Sequence, residues 1–403
     1  MAQQSLDETY DQDDEAARRW DLRSLIYSTS ARGIVYQIAL LSLVILGGYS
    51  LYANVTTNLQ TQGIATGFGF LDERSGFDIG ETLISYDSAS SYGRALVVGI
   101  LNTLTLSAVG IVLATIVGTV VGIMRVSNNW FAKHFSSAFV EVMRNVPVVL
   151  HVIFWGVVLT NLPGPRQAMA PVDGIFLSNR GLYFAVPEYH PIHPWIGVAF
   201  IVALIGAFAF ARYARLHREK TGEFIPTLWP IVGMVVGLPF LVWLSAGLPL
   251  TWDAPAMRGF NFRGGTSLSP EFMGLLIGIT IYTAGFIAEI VRAGIQSVPK
   301  GQIEAARSLG LRPGWIMRYV TMPQALRVII PPTTSQYLSL TKNSSLGVLI
   351  GYPDLVNVGN TTLNQTGQAV EAIAIMMTVY LLISLTISVV MNLYNRAIMI
   401  KER

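Results

Sequence analysis

Lys342, Asn343, Ser344 and Ser345 place an ammonium, an amide and two hydroxyls on consecutive residues of a largely apolar region. These groups can grip an anion or line a polar cavity, and in apolar surroundings each needs a partner. Two further sets stand at i and i+3: Glu141 with Arg144, beside Asn145, and Glu289 with Arg292. That spacing admits two readings, a local ion pair on one helix face or the polar lining of a passage. A fourth set lies in "GQIEAARSLGLRPGWIMRYVTMP" (301–323), where Glu304, Arg307, Arg312 and Arg318 accompany Ala305, Ala306 and Leu309 at helical spacing. Charge with a small-residue face suits docking against another surface. None of these sets forms a Ser-His-Asp arrangement or a carboxylate pair in a recognisable catalytic context. His190 and His193 sit among prolines that argue against the helix metal-ligand spacing needs, so no metal site is expected.

The elements that must position these groups follow from composition. The 403 residues are 52% hydrophobic and 13% charged, with a mean hydropathy of +0.50. About 25% charge is usual for soluble domains, so the chain reads as an integral membrane protein with lipid around it. A net charge of +3 with scattered basic residues gives no reason to expect nucleic acid. Cysteine is absent, which excludes disulfides and thiolate chemistry. The acidic-then-basic N-terminus lacks the early apolar core of a cleaved signal peptide, so the first span is expected to be retained.

Hydropathy predicts an all-α polytopic protein with about eight spans, near 34–55, 93–124, 138–162, 195–212, 228–250, 271–293, 323–345 and 370–395. The seventh holds two prolines, Arg327 and Lys342, and is plausible only where protein surrounds most of it. With both termini inside, most of the 27 Lys and Arg fall in inside segments or the adjoining helix ends, so both ends are expected in the cytoplasm. The segment 301–323 then lies inside as well. A helix is predicted from near Gln302 up to Gly310, which stands where a left-handed C-terminal residue belongs, with Pro313 preventing continuation. The glycine pairs 118/122, 233/237 and 274/278 are spaced for close helix packing.

Glu304-Ala305-Ala306, three residues, Gly310, nine residues and then Val320-Thr321-Met322-Pro323 resembles the EAA signature of ABC importer permeases, with Val and Met at its apolar positions. The likeness extends over 102–129, 139–156, 282–310, 323–347 and the last span. The core resembles the HisM-like polar amino-acid branch, and the enlarged layout looks like the general L-amino-acid importers of the Aap/Bzt type. It implies a five-helix permease core with a cytoplasmic coupling helix at 301–311. The expected organisation is a cytoplasmic tail (1–33), an extra span with a periplasmic segment (34–92), two core helices (93–156), an insertion with two spans (157–270) and the remaining core (271–403).

On that resemblance, the chain is expected to be the permease subunit of an ATP-driven, binding-protein-dependent importer in a bacterial inner membrane. It would carry L-amino acids, polar or broad in range, from periplasm to cytoplasm. Glu304, Ala305, Ala306, Arg307, Gly310 and Pro323 would form the ATPase-coupling segment. Lys342, Asn343, Ser344, Glu289, Glu141 and Asn145 are candidates for the substrate pathway, with Lys342 or the Asn and Ser donors suited to an α-amino-acid carboxylate. The chain carries no G-x-x-x-x-G-K-[ST] loop, so it is not expected to be an enzyme or to hold a cofactor. ATP and Mg would sit on a partner ATPase dimer. The other expected partners are a homologous second permease, giving a heterodimer, and a periplasmic amino-acid-binding protein. An ion-coupled secondary amino-acid transporter is the alternative, but it has no reason to carry the 304–323 pattern.

Overall fold

The structure, a computed structural model, describes residues 29–61, 63, 66–249 and 251–398. Most of the expected N-terminal tail and the basic residues Lys401 and Arg403 lie outside that range. The chain is mostly helical and divides into two compact units. One holds helix α1 (Thr29–Thr61) with Leu363–Glu371, and the other holds Leu71–Thr362 and the residues from Ala372 on. Helix α1 exposes apolar residues all round, as expected of a span that meets lipid.

The second unit is built on α2 (Tyr92–Arg125), α3 (Trp130–Asn145), α4 (Val148–Thr160) and α7 (Pro270–Gln296). Side-chain caps start three of these: Ser91 accepts from Arg94 N at 3.3 Å, Asn129 from Ala132 N at 3.0 Å and Ser269 from Phe272 N at 3.0 Å. Helix α7 is the central element, packed on α2, α4 and α9 (Met322–Asn343), and it carries the largest share of the buried core, including Leu275, Ile279 and Ile287.

Two of the three expected glycine pairs make this packing. A Cβ on Gly122 would lie 2.7 Å from both Ala288 O and Val291 Cβ, and one on Gly118 would lie 2.7 Å from Ile287 Cβ. One on Gly274 would lie 2.9 Å from the Gly156 backbone. Backbones therefore approach closely on both flanks of α7. A Cβ on Gly233 or Gly237 would meet nothing within 4 Å among the described residues, and both lie in a π turn.

The insertion contains α5 (His193–Thr221) and α6 (Leu228–Ser245), longer and shorter respectively than the hydropathy windows. Buried Ala199, Ala203 and Ala207 form a stripe at every fourth residue of α5, which packs on α6. The insertion also contains strands that hydropathy did not predict. Strands β1 (Met169–Val172), β2 (Ile175–Ser178), β3 (Gly181–Phe184) and β8 (Thr266–Leu268) form an antiparallel sheet in the order β1-β2-β3-β8. Strands β4 (Val186–Pro187) and β5 (Trp252–Asp253), and β6 (Ala256–Arg258) and β7 (Asn261–Arg263), form two-stranded pairs. Asp173-Gly174 turns β1 into β2 and Asn179-Arg180 turns β2 into β3.

The expected continuous span 138–162 is corrected. It breaks into α3 and α4, bent by 102°. Pro147 cannot donate to the helix ladder, and the residue before it, Val146, is driven to extended backbone (φ −88°, ψ 130°). Among the described residues, six helices are long and apolar enough to cross a membrane, or seven if the bent pair is one span. The seventh predicted span, α9, is a continuous helix through Pro331 and Pro332 but falls short on apolarity. It ends in a 3₁₀ segment, Ser344–Ile350, before α10 (Leu355–Thr366) and α11 (Ala369–Ile398).

Candidate functional site

Between α7 and α9 lies the charged segment. Helix α8 spans Lys300–Ser308, two residues earlier at its start than predicted. Gly310 adopts φ +74°, a conformation open to glycine and strained for other residues. Its N–H donates to Arg307 O at 2.9 Å, and the Leu311 N–H reaches back to Ala306 O at 3.3 Å, closing the helix. From Pro313 the chain turns helical again and passes through a π turn, Met317–Thr321, into α9.

The two faces of α8 differ. Ala306 is 5% exposed, and Ile303 packs against the main core. Gln302 hydrogen-bonds Gln324, whose amide also donates to Val320 O at 2.9 Å, so the helix is tied to the start of α9. The opposite face leaves Glu304, Ala305, Arg307 and Gly310 exposed, and Leu309 is 80% exposed at the tip. The small-residue docking face expected at both alanines is therefore held by Ala305 alone, because Ala306 turns inward. Pro323 is half-buried in the first turn of α9.

At the same end of the bundle, Glu289 is surrounded by arginines. It pairs with Arg125 at the last residue of α2 and with Arg292 one turn along α7, while Arg144 of α3 stands 3.9 Å away. Arg292 also donates to Gln296 Oε1 at 2.5 Å, and the Arg144 guanidinium lies over the Phe286 ring at 5.1 Å. The local Glu289–Arg292 pair is present, but the carboxylate also clamps three helices together. The suggested Glu141–Arg144 pair is not: Arg144 turns toward Glu289, and Glu141 and Asn145 are exposed.

Lys342, Asn343 and Ser344 lie at the other end of α9, where Gly347 meets Leu275 near the start of α7. Leu275 and Glu289 are fourteen residues apart, roughly 21 Å along the helix. The candidate pathway residues thus divide between two ends rather than converging. Lys342 is exposed, Asn343 half-buried and Ser344 buried. Ser344 Oγ donates to Thr341 O at 2.7 Å and stands 3.4 Å from the Tyr380 hydroxyl.

That hydroxyl leads to a group the sequence reading missed. Tyr380 donates to Asp354 Oδ2 at 3.3 Å, and Asp354 Oδ1 caps α10 by accepting from Asn357 N at 2.9 Å. Asp354 is fully buried, and burial pushes its carboxyl up to about 6 against the opposing hydrogen bonds. Asn102 on α2 donates to both Pro353 O and Glu81 O at 2.9 Å, while Thr103 Oγ1 accepts from Leu355 N at 3.1 Å. These bonds fasten the 351–355 turn to α2. An Asp one residue before an apolar helical run was the available N-cap signal.

The family "Binding-protein-dependent transport system inner membrane component" matches residues 221–399. The General L-amino acid transport system permease protein AapQ of Rhizobium johnstonii is 47% identical, over 95% of this chain and 96% of that protein. The chain belongs to the amino-acid ABC transporter permeases.

Two other relatives extend the comparison. The permease is 49% identical to the Putative amino-acid ABC transporter permease protein YhdX of Escherichia coli, over 93% of this chain and 96% of its relative. It is 40% identical to the Glutamate/glutamine/aspartate/asparagine transport system permease protein BztB of Rhodobacter capsulatus, over 95% and 97%. Among solved structures, an amino acid ABC transporter covers 76% of this chain with a TM-score of 0.45 at 21% identity. The permease is thus a multi-pass inner-membrane subunit, not itself an enzyme, and its family implies an ATPase and a substrate-binding protein as partners.

Proposed function

We propose that this permease imports L-amino acids, polar or broad in range, from periplasm to cytoplasm, driven by ATP hydrolysis on a partner ATPase dimer. The observation that carries the reading is α8: one face keyed into the core and the other exposing Glu304, Ala305, Arg307, Leu309 and Gly310. A rigidly rooted projection of this kind transmits force from whatever holds its tip. The tip sits in a cleft of the ATPase, on the cytoplasmic side with both termini, as the distribution of Lys and Arg supports. ATP and Mg are held by the ATPase. Closure of that dimer shifts the permease toward an outward-open state, and hydrolysis releases it. The second permease subunit is a homologue, and a periplasmic amino-acid-binding protein delivers substrate to the face opposite α8. Lys342 and Asn343 are the pathway residues placed to meet the substrate carboxylate. The test is reconstitution in liposomes with the ATPase and binding protein. Uptake of labelled L-amino acids that requires ATP and resists ionophores supports the proposal. Uptake driven by an ion gradient without the ATPase overturns it.

A further inference from the structure

A cavity of about 670 Å³ opens at the end of the second unit away from α8. That volume lies within the range of small-ligand pockets. Its walls come from the 77–81 loop, the β2–β3 turn, the first turn of α7 and the 351–361 region. The wall charges are mixed: Asp78, Glu81 and Glu271 carry carboxylates, and Arg180, at the tip of the β2–β3 turn, carries a guanidinium. Among the described residues no ion pair joins Arg180 to any of the three. Glu81 accepts from Ser269 Oγ at 2.6 Å, and burial, with a smaller contribution from Glu271, raises its carboxyl above the ordinary range. Beside Arg180, Asn179 also lines the cavity, and its buried Oδ1 has no hydrogen-bond partner among the described residues. Opposite charges that share a cavity without meeting each other suit a small molecule bearing both.

We infer that this cavity is an outer binding site for a free zwitterionic α-amino acid, with Arg180 taking the carboxylate and Glu271 and Glu81 taking the ammonium. The inference rests on the proposed function for its ligand class and adds a role for the inserted sheet. Strand pairing of Tyr183 with Ser267 and of Leu182 with Leu268 fixes the Arg180 turn beside the start of α7. The Phe176–Phe262 stack, centroids 4.6 Å apart, stiffens it from behind. The hairpin would hold substrate after release from the binding protein and before it enters between the helices.

The experiment uses the full complex in nanodiscs without binding protein, and equilibrium dialysis with radiolabelled L-glutamine as the probe. Competition uses glutaramate, which lacks the ammonium, and 4-aminobutanamide, which lacks the carboxylate. The expected result is saturable L-glutamine binding, with each analogue and each variant, R180Q and E271Q, about tenfold weaker. Co-purification of the other subunits and of the binding protein should be unchanged, which guards against misfolding. Equal affinity in wild type and both variants, or no binding, overturns the site. So does loss of binding-protein capture with glutamine affinity intact, which would make the face a protein contact. ATP-driven uptake by the wild-type complex is measured alongside. Its failure overturns the proposed function, whereas intact uptake with unaltered variant affinity overturns only this site.

Discussion

Replacing Glu289 should loosen the junction of α2, α3 and α7. The Glu289 and Arg125 side chains are 26% and 15% exposed, so the pair lies between a surface bridge, worth up to about 1 kcal/mol, and a buried one, whose breakage costs about 3–5 kcal/mol. Glu289→Gln keeps the shape and one acceptor while removing the charge from Arg125 and Arg292 together. We expect a loss of about 2–3 kcal/mol, most of it from leaving Arg125 underneath without a counter-charge. The assay is a double-mutant cycle with Arg125→Met, read by denaturation of the purified permease in dodecyl sulfate. The coupling energy should be about 2 kcal/mol, with Arg125→Met less harmful once Glu289 is already Gln. A coupling below about 0.5 kcal/mol would refute the view that this carboxylate ties the helices together.

Other expectations follow from the same geometry. Gly122→Ala pushes a methyl into Ala288 O and Val291 and should cost about 1–3 kcal/mol, whereas Gly233→Ala, with open space around it, should be neutral or slightly stabilising; both are read in the same denaturation assay. Asp354 has a folded-state pKa of about 6, above the ordinary 3.8, so the folded protein binds this proton more tightly than the unfolded chain. Its contribution is full below about pH 4 and fades as pH rises through 6, a swing of about 3 kcal/mol; Asp354→Asn should remove that slope from a stability series between pH 4 and 8. Gly310→Asp forces a side chain into left-handed backbone and should uncouple ATP hydrolysis from uptake at normal expression, with external substrate capture intact. Lys342→Met should weaken transport while preserving expression; unchanged affinity and rate would remove Lys342 from the pathway.

How much of this was legible in the sequence differs by element. Helix α8 and its Gly310 cap follow from local rules, which is why 301–310 could be placed before any packing was known. The break at Pro147 was equally local, but a hydropathy window averages over one proline and merged α3 with α4. The strands of the insertion were signalled by Asp173-Gly174 and Gly259-Phe260, two-residue turns between short apolar runs, and were masked by the stronger signal of α5 and α6. The inward turn of Ala306 depends on where α9 begins. The Arg125–Glu289 contact joins residues 164 apart, and no spacing rule reaches across that separation.

The central claim is that the exposed tip of α8 is where the ATPase holds the permease. Because the chain has no cysteine, Leu309→Cys provides a single attachment point for a photo-reactive maleimide. Irradiation of the assembled complex should link Leu309→Cys to the ATPase subunit, and Leu83→Cys, also exposed but in the loop before α2, should give no such product. An ATPase adduct from Leu83→Cys, or none from Leu309→Cys in a complex that still hydrolyses ATP, would contradict the account.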